Sequence, residues 1–142
     1  MTTTTHSIPE IVNGLRLYSD DGGDFQPAIV TYLRDRPHDL RITLLDTHLQ
    51  ARGCVYIARD LVCAVLAGGT ALVGCDQVQI GPSGQAGRVL LRVRDGDGRW
   101  MDFHADRCQL QAIVDATLEL VPSGNEHVDI DGALAALLTR GA

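Results

Sequence analysis

Five histidines, His6, His38, His48, His104 and His127, are the side chains of this sequence best suited to moving a proton or holding a metal. No two are spaced to share a helical face, and none follows a Cys ladder, so no zinc-type site is predicted. His104 stands just before Asp106, the pairing of a base with its orienter, but no nucleophile accompanies them and a structural role is expected. The serines, Ser7, Ser19, Ser83 and Ser123, lack a nucleophile-elbow context. Asp95 and Asp97 sit close together, yet paired carboxylates do acid–base work only when an apolar pocket raises one pKa. Here they read as a solvated turn. The acidic run Ser19–Asp24 does not match the ligand spacing of a calcium loop and also reads as solvated. Gly81–Gln85 contains glycine but lacks the Lys-Ser/Thr of a phosphate loop and opens no helix. Cys54, Cys63, Cys75 and Cys108 form no C-x-x-C pair and are expected to be reduced, buried small hydrophobes. No catalytic residue, metal site or cofactor is predicted, which favours a binding or structural role over catalysis.

The elements that position these residues follow from periodicity. Met1–Pro9 is a Thr-rich polar tail, expected to be disordered. Asn13–Tyr18, Pro27–Leu33, Leu40–Thr47 and Cys54–Ala58 read as four strands with short connections, hence an antiparallel meander. A short apolar helix follows at Asp60–Ala67. Asp60 is placed to cap it, and Gly68 and Gly69 to end it. Leu72–Ile80 reads as a fifth strand. Arg88–Arg94 and Arg99–His104 are two more, joined by the hairpin signal Asp95-Gly96-Asp97-Gly98. Asp106 starts the main helix, with Gln109 at the capping-box position and Leu110, Ile113, Val114, Leu118 and Val121 on one face. Pro122 and Gly124 end it, and Asp131 caps a last helix carrying Leu134, Leu137 and Leu138. The fold class is therefore α+β: about seven strands in curved antiparallel sheets, with two to three helices in a ββββ-α-βββ-α-α order. Residues 10–142 form one domain.

The chain has 142 residues and a formal net charge of −6. Acidity disfavours nucleic acid, which wants a clustered positive field, although Arg88, Arg92 and Arg94 could line one face of a strand. All twelve basic residues are arginine. The N-terminus lacks the basic and apolar regions of a signal peptide, and the longest apolar run is too short to span a bilayer, so a cytoplasmic protein is expected. Trp100, the single tryptophan, and Phe103 should face opposite sides of one strand. One of them could belong to an interface.

With these segments in place, the chain resembles the SsgA-like family of actinomycete sporulation and cell division proteins. The residues that carry the resemblance are Ala58-Arg59-Asp60-Leu61 opening the first helix and Asp76-Gln77-Val78-Gln79-Ile80-Gly81-Pro82 closing the strand after it. The Asp95–Gly98 hairpin and Leu120-Val121-Pro122-Ser123-Gly124-Asn125-Glu126, followed by Asp129 and Asp131, also fit. Val55 and Ile57 stand where family members often carry a Trp and a Phe, and Gly81 where an aromatic often precedes Pro82, which marks a divergent member. The resemblance implies a non-enzymatic protein of the division septum, acting through contacts with the division machinery: the tubulin-like FtsZ or another SsgA-like protein. It implies a homotrimer with a fold similar to whirly-type nucleic-acid-binding proteins. Arg59 and Asp60 pair or cap locally, or belong with Trp100 to an interface. The competing reading is a whirly-like single-stranded nucleic-acid binder, which would need a positive groove and exposed aromatics on a sheet.

Overall fold

The structure, a computed structural model, describes residues 8–126. Alternating apolar and polar side chains put most of this stretch into strands. Ile11–Tyr18 (β1), Phe25–Tyr32 (β2), Asp39–Leu45 (β3) and Ala51–Ala58 (β4) form one antiparallel meander, and Arg59–Leu66 (α1) follows without a break. Val73–Gly74 (β5), Val78–Pro82 (β6), Arg88–Arg94 (β7) and Trp100–Asp106 (β8) form a second, again followed directly by a helix, Arg107–Leu120 (α2). β1 pairs with β8, which joins the meanders into one sheet of order β4-β3-β2-β1-β8-β7-β6-β5. The sheet curls until β4 comes near β6, making a nearly closed barrel.

The expected antiparallel α+β plan holds, with eight described strands. The extra one arises where a single strand was expected over Leu72–Ile80. The chain instead folds back between β5 and β6, with the Cys75 N–H donating to the Val78 carbonyl at 2.9 Å. Gly74 permits this turn. Its φ is +151°, and a Cβ there would lie 2.2 Å from the Val78 carbonyl oxygen. The apolar run on either side hides the reversal from a periodicity reading. The last helix expected from Asp131 and the first seven residues lie outside the described residues.

One face of the sheet supplies the core. Leu17, Val30, Leu40, Leu91 and Val89 are essentially inaccessible there, and Val62, Val65, Leu110, Ile113 and Val114 of the two helices plug one end of the barrel against them. Each large aliphatic side chain so buried contributes about 1.5–3 kcal/mol. The apolar face expected for α2 is the one that is buried. Asp106 caps this helix as expected, accepting a hydrogen bond from the Gln109 N–H at 2.9 Å. The Gln109 side chain does not close the capping box. Its Oε1 accepts the Arg16 N–H at 2.8 Å and so fastens α2 to β1.

The start of α1 corrects the expectation. The helix begins one residue earlier, with Ala58 at the N-cap and no side-chain cap. Asp60 lies inside the first turn, where a carboxylate still favours the positive end of the helix dipole. The end is as expected. Gly68, at φ +105°, donates to the Val65 carbonyl and Gly69 to that of Ala64, the paired bonds of a glycine-terminated helix. The cysteines also differ from expectation. All four are free, but Cys54, Cys75 and Cys108 are exposed and only Cys63 is half-buried. Cys54 sits on an outward position of a sheet edge and Cys108 on the outer face of α2, so an apolar neighbourhood in sequence did not translate into burial.

Candidate functional site

Arg59 is the largest fully buried side chain among the described residues, 1% exposed. The β4–α1 junction aims it at the far end of α2. Its Nη1 donates to the Val121 carbonyl at 2.8 Å, to the Thr117 carbonyl at 3.1 Å and to the Tyr32 hydroxyl at 3.1 Å. Its Nη2 meets Glu126 Oε1 at 2.6 Å. The Tyr32 hydroxyl in turn donates a hydrogen bond to the Pro37 carbonyl at 2.9 Å, and burial raises its pKa. A guanidinium with a fixed fork of donors can serve these acceptors together, and a positive charge at a helix C-terminus complements the dipole there. Arg59 therefore pairs with Glu126 across the molecule, not with Asp60. Sequence spacing could not reveal a partner 67 residues away.

Arg107 makes the mirror-image contact. It opens α2 as Arg59 opens α1, and its Nη2 donates to the carbonyl of Leu66, the last residue of α1. The backbone repeats the relation: Arg59 N–H donates to His38 O and Arg107 N–H to Gly87 O. Each meander thus delivers an arginine that closes the other meander's helix. The two halves are locked by exchange as well as by shared core.

Hydrogen bonding to its own backbone N–H, then the Arg59 guanidinium, lowers the Glu126 pKa below its ordinary 4.5. A carboxylate whose pKa is lower folded than unfolded contributes stability above its unfolded pKa and loses it as pH falls through the folded value. The melting temperature is expected to fall on acidification below about pH 4.5 more steeply in the wild type than in Glu126→Gln. Thermal melts of both proteins across that range check this; parallel pH curves would refute it.

His104 is 8% exposed and does not face Asp106. Its Nδ1 lies 2.7 Å from Ser83 Oγ and its Nε2 2.8 Å from Asp20 Oδ1. A Ser–His–Asp chain invites comparison with nucleophilic catalysis, but its surroundings serve another end. The Gln85 N–H is spent on Ser83 Oγ itself at 2.9 Å instead of being aimed at a developing oxyanion. The Gln85 side chain donates to the carbonyls of Ser19 and Asp20, and Asp20 rides an exposed turn. The cluster fastens the β1–β2 turn and the β6–β7 loop to β8. His104→Ala is expected to cost about 1–3 kcal/mol by leaving polar groups unpaired. Urea unfolding at neutral pH measures it, and an unchanged midpoint would refute it. The acidic turn beside it is held internally, with Asp21 Oδ1 accepting from Ser19 Oγ and the Gly23 N–H, and these bonds, the Ser19 one foremost, lower its pKa.

The arginines of β7 do share one face, as the spacing predicts. They are committed there. Arg88 lies 3.4 Å over the Tyr18 ring and donates to Gln85. Arg92 bonds Asp102 at 2.8 Å. Arg94 donates to the Gly98 carbonyl, and Arg92 and Arg94 both flank Trp100. Trp100 is half-buried on this outer face, while Phe103 packs toward the core. Cations held by carboxylate and aromatic partners are poorly placed to track a phosphate backbone, so the nucleic-acid reading is not favoured.

At the barrel end away from the helices, a cleft of about 330 Å³ opens between the first half of β4 and the β7–β8 hairpin. Val55, Met101 and Phe103 line its apolar part, and Arg52, Asp95 and Asp97 its rim. Ile57, by contrast, is a core residue. Among the described residues no three His, Cys, Asp or Glu side chains converge as a metal site, and no helix is long and apolar enough to cross a membrane.

An eight-stranded, nearly closed antiparallel sheet, plugged by two helices that follow its two meanders, defines the architectural class. Residues 27–126 match the family described as Streptomyces sporulation and cell division protein, SsgA, and the chain belongs to that family. Two solved structures share the fold. One, from Streptomyces coelicolor, is described under "Mutations in SsgB correlate to longitudinal cell division during sporulation"; it is 24% identical, with a TM-score of 0.67 over 82% of this chain and 91% of that one. The other is an SsgA-like sporulation-specific cell division protein from Thermobifida fusca YX-ER1, 23% identical, with a TM-score of 0.70 over 94% of this chain and 98% of that one. No curated protein matches by sequence.

Proposed function

We propose that this chain is a non-enzymatic adaptor that acts on septum placement or formation during sporulation-specific division, through contacts with division-machinery proteins such as FtsZ or another SsgA-like protein. The family match over residues 27–126 carries the reading. The site geometry supports it, because among the described residues the Arg59 and His104 clusters hold the fold together and the open features are surfaces. Trp100, set between Arg92 and Arg94 on the outer sheet face, has the amphipathic character of an interface residue. Assembly as a homotrimer would present the same surface several times to a polymeric partner and raise its effective concentration there. Light scattering is expected to give three times the chain mass of 15.3 kDa; a strict monomer at micromolar concentration would overturn the trimer.

The function is tested by imaging a fluorescent fusion in sporulating cells of the source organism. Bands or ladders at septal positions are expected. Signal over the nucleoids would favour the nucleic-acid reading, and diffuse signal would overturn the division role.

A further inference from the structure

β4 is the terminal strand at one end of the described sheet, and its outer edge pairs with no strand; the terminal strand at the other end, β5, has only two residues. The groups it presents follow from the register. Arg59 N–H donates to His38 O, which extends the Asp39↔Ala58, Leu40↔Ile57 pairing by one step. Hydrogen-bonded pairs alternate along an antiparallel ladder. Ile57, Val55 and Gly53 therefore bond to β3, and the N–H and C=O groups of Tyr56 and Cys54 point away from it. Edges of this kind are ordinarily blunted by charge or proline. The run Gly53-Cys54-Val55-Tyr56-Ile57 has neither.

The cleft lies against this same edge, since Arg52–Val55 form one of its walls. Its apolar part exists because Val55, Met101 and Phe103 point inward where the barrel stays open, and all three remain half-buried. The cleft is lined by Arg52 on the β4 side and by Arg94, Asp95 and Asp97, net acidic, on the hairpin side. On the β4 wall Arg52 makes no hydrogen bond or ion pair among the described residues; the hairpin wall carries Asp97 beside Arg94 and Asp95, the last with its Oδ1 already accepting from the Asp97 and Arg99 N–H groups. Unpaired strand backbone, an apolar hole one residue off that backbone and a dipolar rim are the three parts of strand-addition recognition: main-chain bonds supply affinity, and pockets for alternate side chains supply specificity.

We propose that the β4 edge and its cleft bind an extended segment of a partner protein as an added strand. The segment places one bulky apolar side chain on Val55, Met101 and Phe103, an acidic residue toward Arg52 and a basic residue toward Asp97. A second copy of this chain fits less well. On the matching face its β4 carries Gly53, Val55 and Ile57, the last already buried in its own core, and it offers no carboxylate to Arg52. This inference rests on the adaptor reading above and names the surface that serves it.

The test is selection of a phage-displayed random dodecapeptide library on the full chain. Enriched peptides are expected to carry an aromatic or large aliphatic residue between opposite charges. Tyr56→Pro removes one outward N–H without touching the β3 ladder and is expected to weaken these peptides roughly tenfold or more. Should the proline variant fail to fold, Arg52→Glu serves instead, and selection on it is expected to exchange the acidic flank for a basic one. No enrichment, or peptides that bind both variants as they bind the wild type, would overturn the proposal. A drop in solution mass in Tyr56→Pro would overturn it too, because the occupant would then be a second copy. The two readings fail separately. A wild-type fusion spread evenly through sporulating cells defeats the division role whatever peptides bind, whereas a septal wild type whose selected peptides ignore β4 defeats strand addition alone.

Discussion

Replacing Arg59 by methionine is expected to lower stability by about 3–5 kcal/mol, the usual cost of breaking a buried ion pair from one side. That corresponds to a fall of roughly 10–20 °C in melting temperature for a domain of this size. Methionine is unbranched and of comparable length, so the loss would not be a cavity effect. It would come from the Val121 carbonyl and the Tyr32 hydroxyl losing their charged donor, and from Glu126 losing its partner. Arg59→Lys is expected to recover little of it, because an ammonium is a point charge and cannot serve acceptors spread across two elements with the fork geometry of a guanidinium. Thermal melts followed by circular dichroism read all three proteins. A loss below about 1 kcal/mol, the range of an exposed pair, would show that the pairing contributes nothing special. The result bears on function as well. A side chain with 1% exposure cannot touch a partner, so an Arg59 variant that loses activity loses it through the fold. Trp100 and the β4 edge, which solvent reaches, are where the proposed interface can be probed apart from the buried Arg59 network.

How much of this was legible beforehand depended on the range of the interaction. Period-two alternation located seven of the eight described strands, and the Asp95–Gly98 hairpin formed as its residues dictate, with Asp95 Oδ1 accepting from the N–H groups of Asp97 and Arg99. Local chemistry was readable because its partners lie within a few residues. The Asp106 cap and the glycine stop after α1 belong to this group. What failed to show was long-range. His104 meets Asp20 and Ser83, and Arg59 meets Glu126, because the barrel closes β1 against β8 and lays α2 across the start of α1. Asp60 was favoured as a cap because it is the right residue type. The helix started one residue early since Arg59 N–H, still bonded to His38 O, carries the β-ladder directly into the first turn. The cleft was invisible for the same reason: its apolar residues belong to strands that read as ordinary core strands, and only the failure of β4 to close the barrel leaves them open.

The β5–β6 reversal is the other place where a single residue carries a large effect. Gly74→Ala is expected to cost about 2–4 kcal/mol, the sum of a backbone conformation that side chains rarely adopt and a clash with backbone that has no free direction to yield. The new Cβ would stand 2.2 Å from the Val78 carbonyl oxygen and 2.7 Å from the Gln79 Cα. Relief requires opening the turn that the Cys75 N–H closes, and with it the pairing of Val73 with Ile80. Because Val78 and Ile80 are both buried against the core and pair onward with β7, the strain is not confined to the edge. Glycines 14 and 53 supply the control, since a Cβ at either meets nothing within 4 Å. Their alanine variants should melt within a few degrees of the wild type, as expected where a small side chain enters open space. Amide hydrogen exchange locates the damage. In Gly74→Ala the protons of β5 and β6 should exchange faster while those of β1–β3 keep their relative protection. If Gly74→Ala melted with the wild type, the chain would have to pass through residues 72–80 as the continuous strand that their apolar pattern suggests. The match of Asp76–Pro82 to the family motif would then mark a strand interior, not the return limb of a turn.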